Sequence, residues 1–174
     1  MRKSIYYLSL LLLAMVLPTG CSSDEENEIQ PVDENANKTF PIAEDKLDPG
    51  IVSFFNETLP KMSYYSIEDF FMLEDKETDV YYLINNEQEF QKVYQGHLAL
   101  PKIDFKKYTL IIGRLYNGGV TVYQQYLTKE KEENVLVLHL RHEPVVALMF
   151  YTYYWGIYPK MTNDYVTIQL VHDK

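Results

Sequence analysis

Cys21 is the only cysteine in the 174-residue chain, and this limits how the chain can be held together. A lone cysteine can form no internal disulfide and cannot supply the several thiolates of a structural zinc site. The folded part must therefore be stabilised by packing. Apolar residues make up 47% of the chain, and sixteen tyrosines dominate an aromatic share of 14%, so one domain with a sizeable core is expected.

The first twenty residues have the pattern of a secretory signal peptide. Arg2 and Lys3 precede an apolar stretch over residues 5–17, and Gly20 is the small residue before Cys21. This stretch is shorter than the roughly 20 residues that cross a bilayer as a helix. An ordinary export signal followed by a chance cysteine is the alternative.

The segment Leu17-Pro18-Thr19-Gly20-Cys21 resembles the lipobox of bacterial lipoproteins. The resemblance implies that residues 1–20 are removed as a lipoprotein signal peptide and that the Cys21 thiol is diacylated. Pro18 stands where the lipobox prefers an aliphatic residue, and Leu17 is displaced by one position. We therefore expect the chain to be attached to the outer membrane through an N-terminal lipid on Cys21.

Residues 21–47 are expected to be a disordered acidic tether. Between Asp24 and Asp48 there are nine acidic residues against two lysines, and apolar residues are few. Such a segment buries too little apolar surface to offset the entropy of ordering. Asp24-Glu25-Glu26 resembles the export signal of surface lipoproteins in Bacteroides-type bacteria, which implies display on the cell exterior. A tether that faces the periplasm is the alternative.

The charge of the chain excludes one class of partner. A net charge of −9 repels phosphate backbones, so no nucleic-acid partner is expected. The sequence contains no basic amphipathic stretch, so membrane attachment is expected to come from the lipid. No glycine-rich phosphate loop is present, and no cofactor is expected.

Residues 48–174 are predicted to form a single α+β domain. From Tyr108 onward the apolar residues recur with period two, which is typical of strands, whereas the earlier part also contains helical spacing and capping residues. The predicted elements of the earlier part are a helix that starts at Asp48-Pro49 and ends before Pro60, a strand over 79–84, and a helix that Asn86 and Glu89 begin as a capping box and Gly96 ends.

Five further strands are predicted to be linked by hairpins. Asn117-Gly118-Gly119 is typical of a tight turn, and Val122, Gln124 and Tyr126 are predicted to share one face of the strand that follows. We expect an antiparallel sheet of about five to six strands, able to curl toward a barrel, with two or three short helices on one face. The predicted strands cover residues 108–116, 120–127, 135–142, 145–155 and 165–171.

Three segments also carry a family resemblance. They are Ile84-Asn85-Asn86-Glu87-Gln88-Glu89-Phe90, Leu100-Pro101-Lys102-Ile103-Asp104-Phe105 and Tyr108-Thr109-Leu110-Ile111-Ile112-Gly113. Their layout resembles the C-terminal domain of the protease complex subunit PrcB and related uncharacterised lipoproteins of Bacteroides-type bacteria, over about residues 84–171. Val120 stands after the Gly-Gly pair where the family often has Tyr. The resemblance implies a partner subunit of an envelope protease complex.

Catalytic and metal chemistry find little support in the sequence. The serines after the tether lie in no Gly-x-Ser-x-Gly context, and the four histidines show no metal-binding spacing. The carboxylate clusters look like solvated surface charge. We therefore expect neither an enzyme nor a metal site, and an unrecognised hydrolase is the less favoured alternative. The residues in question are Ser53, Ser63 and Ser66; His97, His139, His142 and His172; and the pairs Glu68-Asp69, Glu74-Asp75 and Glu87/Glu89.

The aromatic run from Met149 to Tyr158 is the strongest candidate for a functional surface. On a strand, Tyr151, Tyr153 and Trp155 share one face, and Tyr154 lies on the other. An exposed aromatic row binds sugars by stacking and peptides by apolar burial, whereas a buried one fills a core. We therefore favour a lipid-anchored, non-enzymatic surface module that binds a glycan or a peptide, with the protease-complex subunit as the alternative.

Overall fold

The computed structural model describes residues 37–63, 71, 79–117, 119–131, 133–144 and 150–173. Cys21, the predicted tether up to residue 36, Gly118, Met149 and the pairs Glu68-Asp69 and Glu74-Asp75 lie outside these residues. No helix within the described ranges is long and apolar enough to span a membrane. The elements are α1 (Pro49–Thr58), β1 (Met62–Ser63), β2 (Val80–Ile84), α2 (Glu87–Val93), β3 (Tyr108–Asn117), β4 (Val120–Glu130), β5 (Glu133–His142), β6 (Phe150–Pro159) and β7 (Thr167–His172), with a 3-10 turn at Glu44–Lys46.

The strands form two sheets, and the predicted α+β class is confirmed. One sheet is antiparallel and has the order β1-β6-β3-β2, and the other has the order β4-β5-β7. The expectation of one sheet of hairpin-linked strands is wrong, because β3 pairs with β6 along its whole length while β4 pairs with β5. β7 runs parallel to β5. Asn117-Gly118-Gly119 therefore joins two sheets and closes no hairpin.

The four-stranded sheet is buried on both faces. Alternate residues of β3 and β6 pack against α1 and α2, and the residues between them pack against the three-stranded sheet. The two sheets lie face to face, so the described part of the chain forms three layers and does not close into a barrel. The helix-side core includes Ile51, Phe54, Phe55, Phe90, Leu110, Ile112 and Ile157, and the core between the sheets includes Ile111, Leu115, Leu136, Leu138, Tyr154 and Tyr158.

Both predicted helix starts are confirmed by their caps. The Asp48 carboxylate accepts a hydrogen bond from the Gly50 N–H at 2.7 Å, and Asn86 Oδ1 accepts one from the Glu89 N–H at 2.8 Å. The Glu89 side chain completes the box by accepting from the Asn85 N–H at 2.6 Å. The predicted end at Gly96 is wrong: α2 stops at Val93, because the next residue takes an extended backbone conformation.

Residues 37–47 belong to the folded domain, although the sequence placed them in the tether. Thr39 and Leu127 exchange two backbone hydrogen bonds of 2.7 and 2.8 Å, and the Ile42 N–H donates to Ile157 O at 2.7 Å. Ile42 and Leu47 also pack against the helix-side core. These contacts with β4 and β6 order an acidic segment whose composition alone predicts disorder, so the domain begins before residue 48.

A β-bulge in β4 changes which residues face the core. The register with β5 shifts between Val122 and Gln124, so Tyr123 and Gln124 both lie opposite His139. Beyond the bulge, Gln125 points inward and Tyr126 outward, with its ring against Phe40 at a centroid distance of 5.5 Å. The prediction that Val122, Gln124 and Tyr126 share one face is therefore wrong.

Candidate functional site

A slot with a volume of about 440 Å³ opens beside the edges of β4 and β6. Gln124 and Gln125 line it from β4, Trp155 lines it from β6, and Phe40 and Pro41 form a further part of its wall. β4 and β6 belong to different sheets and do not pair with each other, which leaves the space of the slot beside their edges. We call this cavity the slot.

Trp155 is held rigidly at the slot. Its indole stacks on the buried Phe55 ring of α1, with a centroid distance of 4.2 Å and an interplanar angle of 19°. Its carbonyl accepts a hydrogen bond from the Gln125 side-chain amide of the opposite sheet. The tryptophan is half-buried, so one part of it anchors in the core while another remains available to a ligand.

The other two residues of the predicted aromatic row are placed differently. Tyr153 is only 4% exposed, although it contributes to the slot lining. Tyr151 does not line the slot; its ring lies 5.5 Å from the Tyr116 ring and beneath the Arg114 guanidinium at 4.9 Å. The three do share a face, as predicted, but that face is the one that α1 and α2 cover. Binding by the row stays a prediction, and only its Trp155 end has an exposed position at the slot.

The exposed aromatic residues of the slot were missed by sequence reasoning. Phe40 is 40% exposed and Tyr123 is 41% exposed, and both line the slot. Phe40 belongs to the segment that was predicted to be disordered, and the position of Tyr123 depends on the bulge. The one available signal was that the alternation of apolar and polar residues breaks down from Tyr123 onward.

Tyr123 is fixed by polar neighbours on the outer face of the sheet. The Arg141 guanidinium lies 4.9 Å from the centre of its ring, and its hydroxyl is 3.4 Å from His139 Nδ1. A hydrogen bond with Asp173 raises the pKa of the Tyr123 hydroxyl above its ordinary value. The group therefore stays protonated at neutral pH and can donate a hydrogen bond.

Gln125 connects the two sheets at the base of the slot. Its side chain donates to Trp155 O and accepts from the Tyr158 hydroxyl at 3.1 Å. Both partners belong to β6, so the amide fixes the separation of the two strand edges. A half-buried amide that both donates and accepts a hydrogen bond favours this strand register over a shifted one.

Loss of the hydroxyl group is expected to change the free energy of unfolding differently at the two buried tyrosines of β6. The Tyr154 hydroxyl is buried and has no hydrogen-bond partner among the described residues, whereas Tyr158 bonds to Gln125. Tyr158→Phe should lower the free energy of unfolding by about 1 kcal/mol, and Tyr154→Phe should leave it unchanged or raise it. Urea unfolding of the two variants measures this, and an equal loss in both would contradict the described hydrogen bonding.

The described residues contain no cluster that could hold a metal ion. No three His, Cys, Asp or Glu side chains among them converge on one point. His142 and His172 stack at 5.5 Å on the outer edge of the sheet, and the Ser53 hydroxyl bonds only to Glu57, at 3.2 Å. The slot itself is lined by aromatic side chains and by hydrogen-bonding groups.

Comparison with known proteins finds no relative: no protein-family model matches the chain, and no curated protein and no solved structure matches it.

Proposed function

We propose that this protein is a lipid-anchored, non-enzymatic binding module of the outer membrane, displayed on the cell surface, and that the slot is its ligand site. The observation that carries the proposal is the placement of Trp155, which is stacked on the core on one side and open to the slot on the other. A ligand that covers a side chain fixed in this way gains apolar contact at little cost in side-chain entropy.

The chemistry of the slot suits a ligand that has both apolar and polar groups. Phe40 and Tyr123 contribute exposed aromatic side chains to the slot lining, together with half-buried Trp155. Exposed Gln124 and Lys61 offer polar contacts, and no strong charge of one sign dominates. Peptides and glycans both have this mixed character, whereas a simple inorganic ion does not.

The predicted anchor gives such a module its reach. If Cys21 carries the lipid, fifteen residues separate it from Asn37, where the described residues begin. A flexible chain of that length has a root-mean-square span of about 20–25 Å, enough to hold the domain clear of lipid headgroups. The anchor is tested by expressing Cys21→Ser in the native host. We expect loss of acylation by mass spectrometry and release from membranes, and retention of the membrane-bound form would contradict it.

A second candidate function is a partner subunit of an envelope protease complex, as the PrcB resemblance implies. It is favoured by the edges of β4 and β6 beside the slot, which already pair with the chain's own residues 39–42, because backbone groups at strand edges pair readily with another polypeptide. The slot would then hold a segment of the protease. Cross-linking on intact cells, followed by identification of the captured protein, separates this function from capture of a free ligand.

Binding at the slot is expected to depend on its exposed aromatic residues. The chain from Ser22 to Lys174 is screened against a glycan array and against a library of short random peptides. For whatever is selected, Tyr123→Ala and Phe40→Ala should each weaken binding about tenfold or more, because each removes a ring that a ligand covers. Tyr165→Ala is the matched control, since Tyr165 is 53% exposed and does not line the slot. Equal binding by all three variants, each with an unchanged urea midpoint, would exclude the slot as the ligand site.

A further inference from the structure

We propose that a second cavity, at the end of the space between the two sheets, binds a saccharide that carries a negatively charged group. The cavity has a volume of about 740 Å³, and the residues that line it include Thr39, Lys129, Asn134, Lys160 and Asn163. We call it the polar pocket. No described residue lines both the polar pocket and the slot, so the inference does not depend on the proposed function of the slot.

The polar pocket lies where the apolar core between the sheets ends. Leu127 and Leu136 pair across β4 and β5 and belong to this core, and residues two apart on a strand face the same side. The next pair that faces inward is Lys129 and Asn134. Two polar side chains therefore continue the apolar inner face of the sheet, next to the nearly buried Leu127 and Met161, which also line the pocket.

The other walls of the polar pocket are fixed by hydrogen bonds. Thr39 pairs with Leu127 through two backbone bonds, which places the Thr39 side chain on the same side of the sheet as that of Leu127. In the segment that follows β6, the Met161 N–H donates to the buried Thr109 hydroxyl at 3.1 Å. A ligand therefore enters a cavity whose walls are already ordered, and this lowers the entropy cost of binding.

The lining is positively charged, although the chain has a net charge of −9. It contains three lysines and, among the described residues, no acidic side chain. Lys160 Nζ donates to Asn85 O and Asn85 Oδ1, at 3.0 Å each, and keeps one further N–H for a ligand. The Lys38 ammonium lies 5.0 Å from the centre of the Tyr126 ring. Lys129 forms no hydrogen bond or ion pair with another described residue, so its ammonium is available to a ligand.

The acidic residues of the same hairpin lie on the other side of the sheet. Glu130 and Glu133 each follow or precede an inward-facing residue by one position, and successive side chains of a strand point to opposite faces. Both are exposed, and neither lines the polar pocket or forms an ion pair with Lys129. The charge of the Lys129 ammonium is therefore left for an anionic ligand.

This lining suits an anion that also carries hydroxyl groups. A lysine ammonium binds a carboxylate or a sulfate group, whereas the amides of Asn134 and Asn163 and the hydroxyl of Thr39 bond to sugar hydroxyls. The volume is in the range of roughly 300–1,000 Å³ that holds organic ligands, so it exceeds what one inorganic ion fills. The β4 edge beside the pocket is already paired with Thr39, so an extended peptide has no strand to join there.

The test is a glycan array that carries neutral sugars together with their uronic acid and sulfated forms. It is probed with the chain from Ser22 to Lys174, which contains every described residue. Acidic saccharides should be retained, and their neutral counterparts should not. For a retained saccharide, Lys129→Gln should weaken binding about tenfold, because it removes a charge-assisted hydrogen bond. If no acidic saccharide is retained, or if the neutral forms are retained equally well, the proposal is overturned.

Lys131→Gln is the matched control. Lys131 is exposed on the same hairpin and does not line the polar pocket, and its replacement changes the net charge by the same amount. This variant should bind the saccharide as tightly as the unchanged chain, and both variants should keep the urea midpoint of unfolding. An equal loss of binding in both would mean that the net charge controls binding, and it would overturn the assignment to the pocket.

Two competitors identify the class of ligand. Neither sodium sulfate, compared with sodium chloride at equal ionic strength, nor hexaglutamate should displace the saccharide. Displacement by sulfate would show a site for simple anions, and displacement by hexaglutamate would show a site for acidic peptides; either result overturns the saccharide. Loss of binding in Tyr123→Ala but not in Lys129→Gln would place the saccharide in the slot, and it would overturn this inference while supporting the proposed function.

Discussion

Phe55→Ala is expected to lower the free energy of unfolding by about 4 kcal/mol. Phe55 has no exposed surface and lies at the centre of the helix-side core. Its ring stacks on Trp155 at 4.2 Å and lies 6.2 Å from the Phe90 ring of α2. Removing it leaves a cavity between both helices and β6, and Phe→Ala changes at such sites cost about 3–5 kcal/mol.

The same substitution should disturb the slot, because Trp155 loses the ring that holds it. Trp155 is the only tryptophan of the chain, so its fluorescence reports this one position during urea unfolding. Phe40→Ala is the control: Phe40 is 40% exposed, and its removal should cost less than about 1 kcal/mol. A loss below about 2 kcal/mol for Phe55→Ala would mean that this core is loosely packed.

Alkaline pH is expected to destabilise the protein strongly. Burial raises the pKa of both Tyr154 and Tyr158 far above its ordinary value near 10. Below about pH 10 both residues are protonated in the folded and the unfolded chain, so the free energy of unfolding does not depend on them. Above that pH only the unfolded chain releases these protons, and stability falls by about 1.4 kcal/mol per pH unit for each tyrosine.

The two tyrosines together should therefore lower the free energy of unfolding by about 3 kcal/mol for each pH unit above 10. Urea unfolding between pH 8 and pH 12, with tyrosinate absorbance recorded in parallel, measures the slope. The double variant Tyr154→Phe and Tyr158→Phe should lose most of it, whereas Tyr165→Phe, at an exposed position, should keep it. An unchanged slope in the double variant would show that other groups cause the alkaline loss.

The parts of the fold that depend on near neighbours could be predicted from the sequence. The caps at Asp48 and Asn86 act within three residues, so the start of each helix follows from local chemistry. The strands β2 and β3 also lie close to their predicted positions, because runs of β-branched and aromatic residues favour an extended backbone whatever their partners are.

Strand pairing could not be predicted, because it depends on residues far apart in the chain. Gly119 adopts the predicted positive φ of 60°, but that angle does not determine whether the strands on either side pair with each other. β4 leaves the sheet that contains β3 and lies in the second sheet, which covers the apolar face of β3 that the helices do not cover, and β6 takes the place beside β3. Gly113 allows the Tyr154 ring of β6 to lie directly against β3, because a Cβ at this position would overlap that ring.

The candidate site could be predicted only in part. Trp155 was singled out because an aromatic run is visible in the sequence, and it does line the slot. Phe40 and Tyr123 were missed because one lies in a segment of acidic composition and the other at a bulge. The slot is formed by edges of two different sheets, and the sequence contains no local pattern that reports how such edges meet.

Residues 39–42, which form hydrogen bonds with a strand of each sheet, also determine how the domain responds to tension along the chain. A pull along the chain from Cys21 first reaches Thr39, whose two bonds to Leu127 yield before the Ile42 bond to Ile157 is strained. Release of residues 37–42 adds roughly 20 Å of free chain while both cores stay closed. It also withdraws Phe40 and Pro41 from the slot wall. If Cys21 is anchored and the slot holds a ligand, as proposed, tension on the anchor would weaken ligand binding before it unfolds the protein.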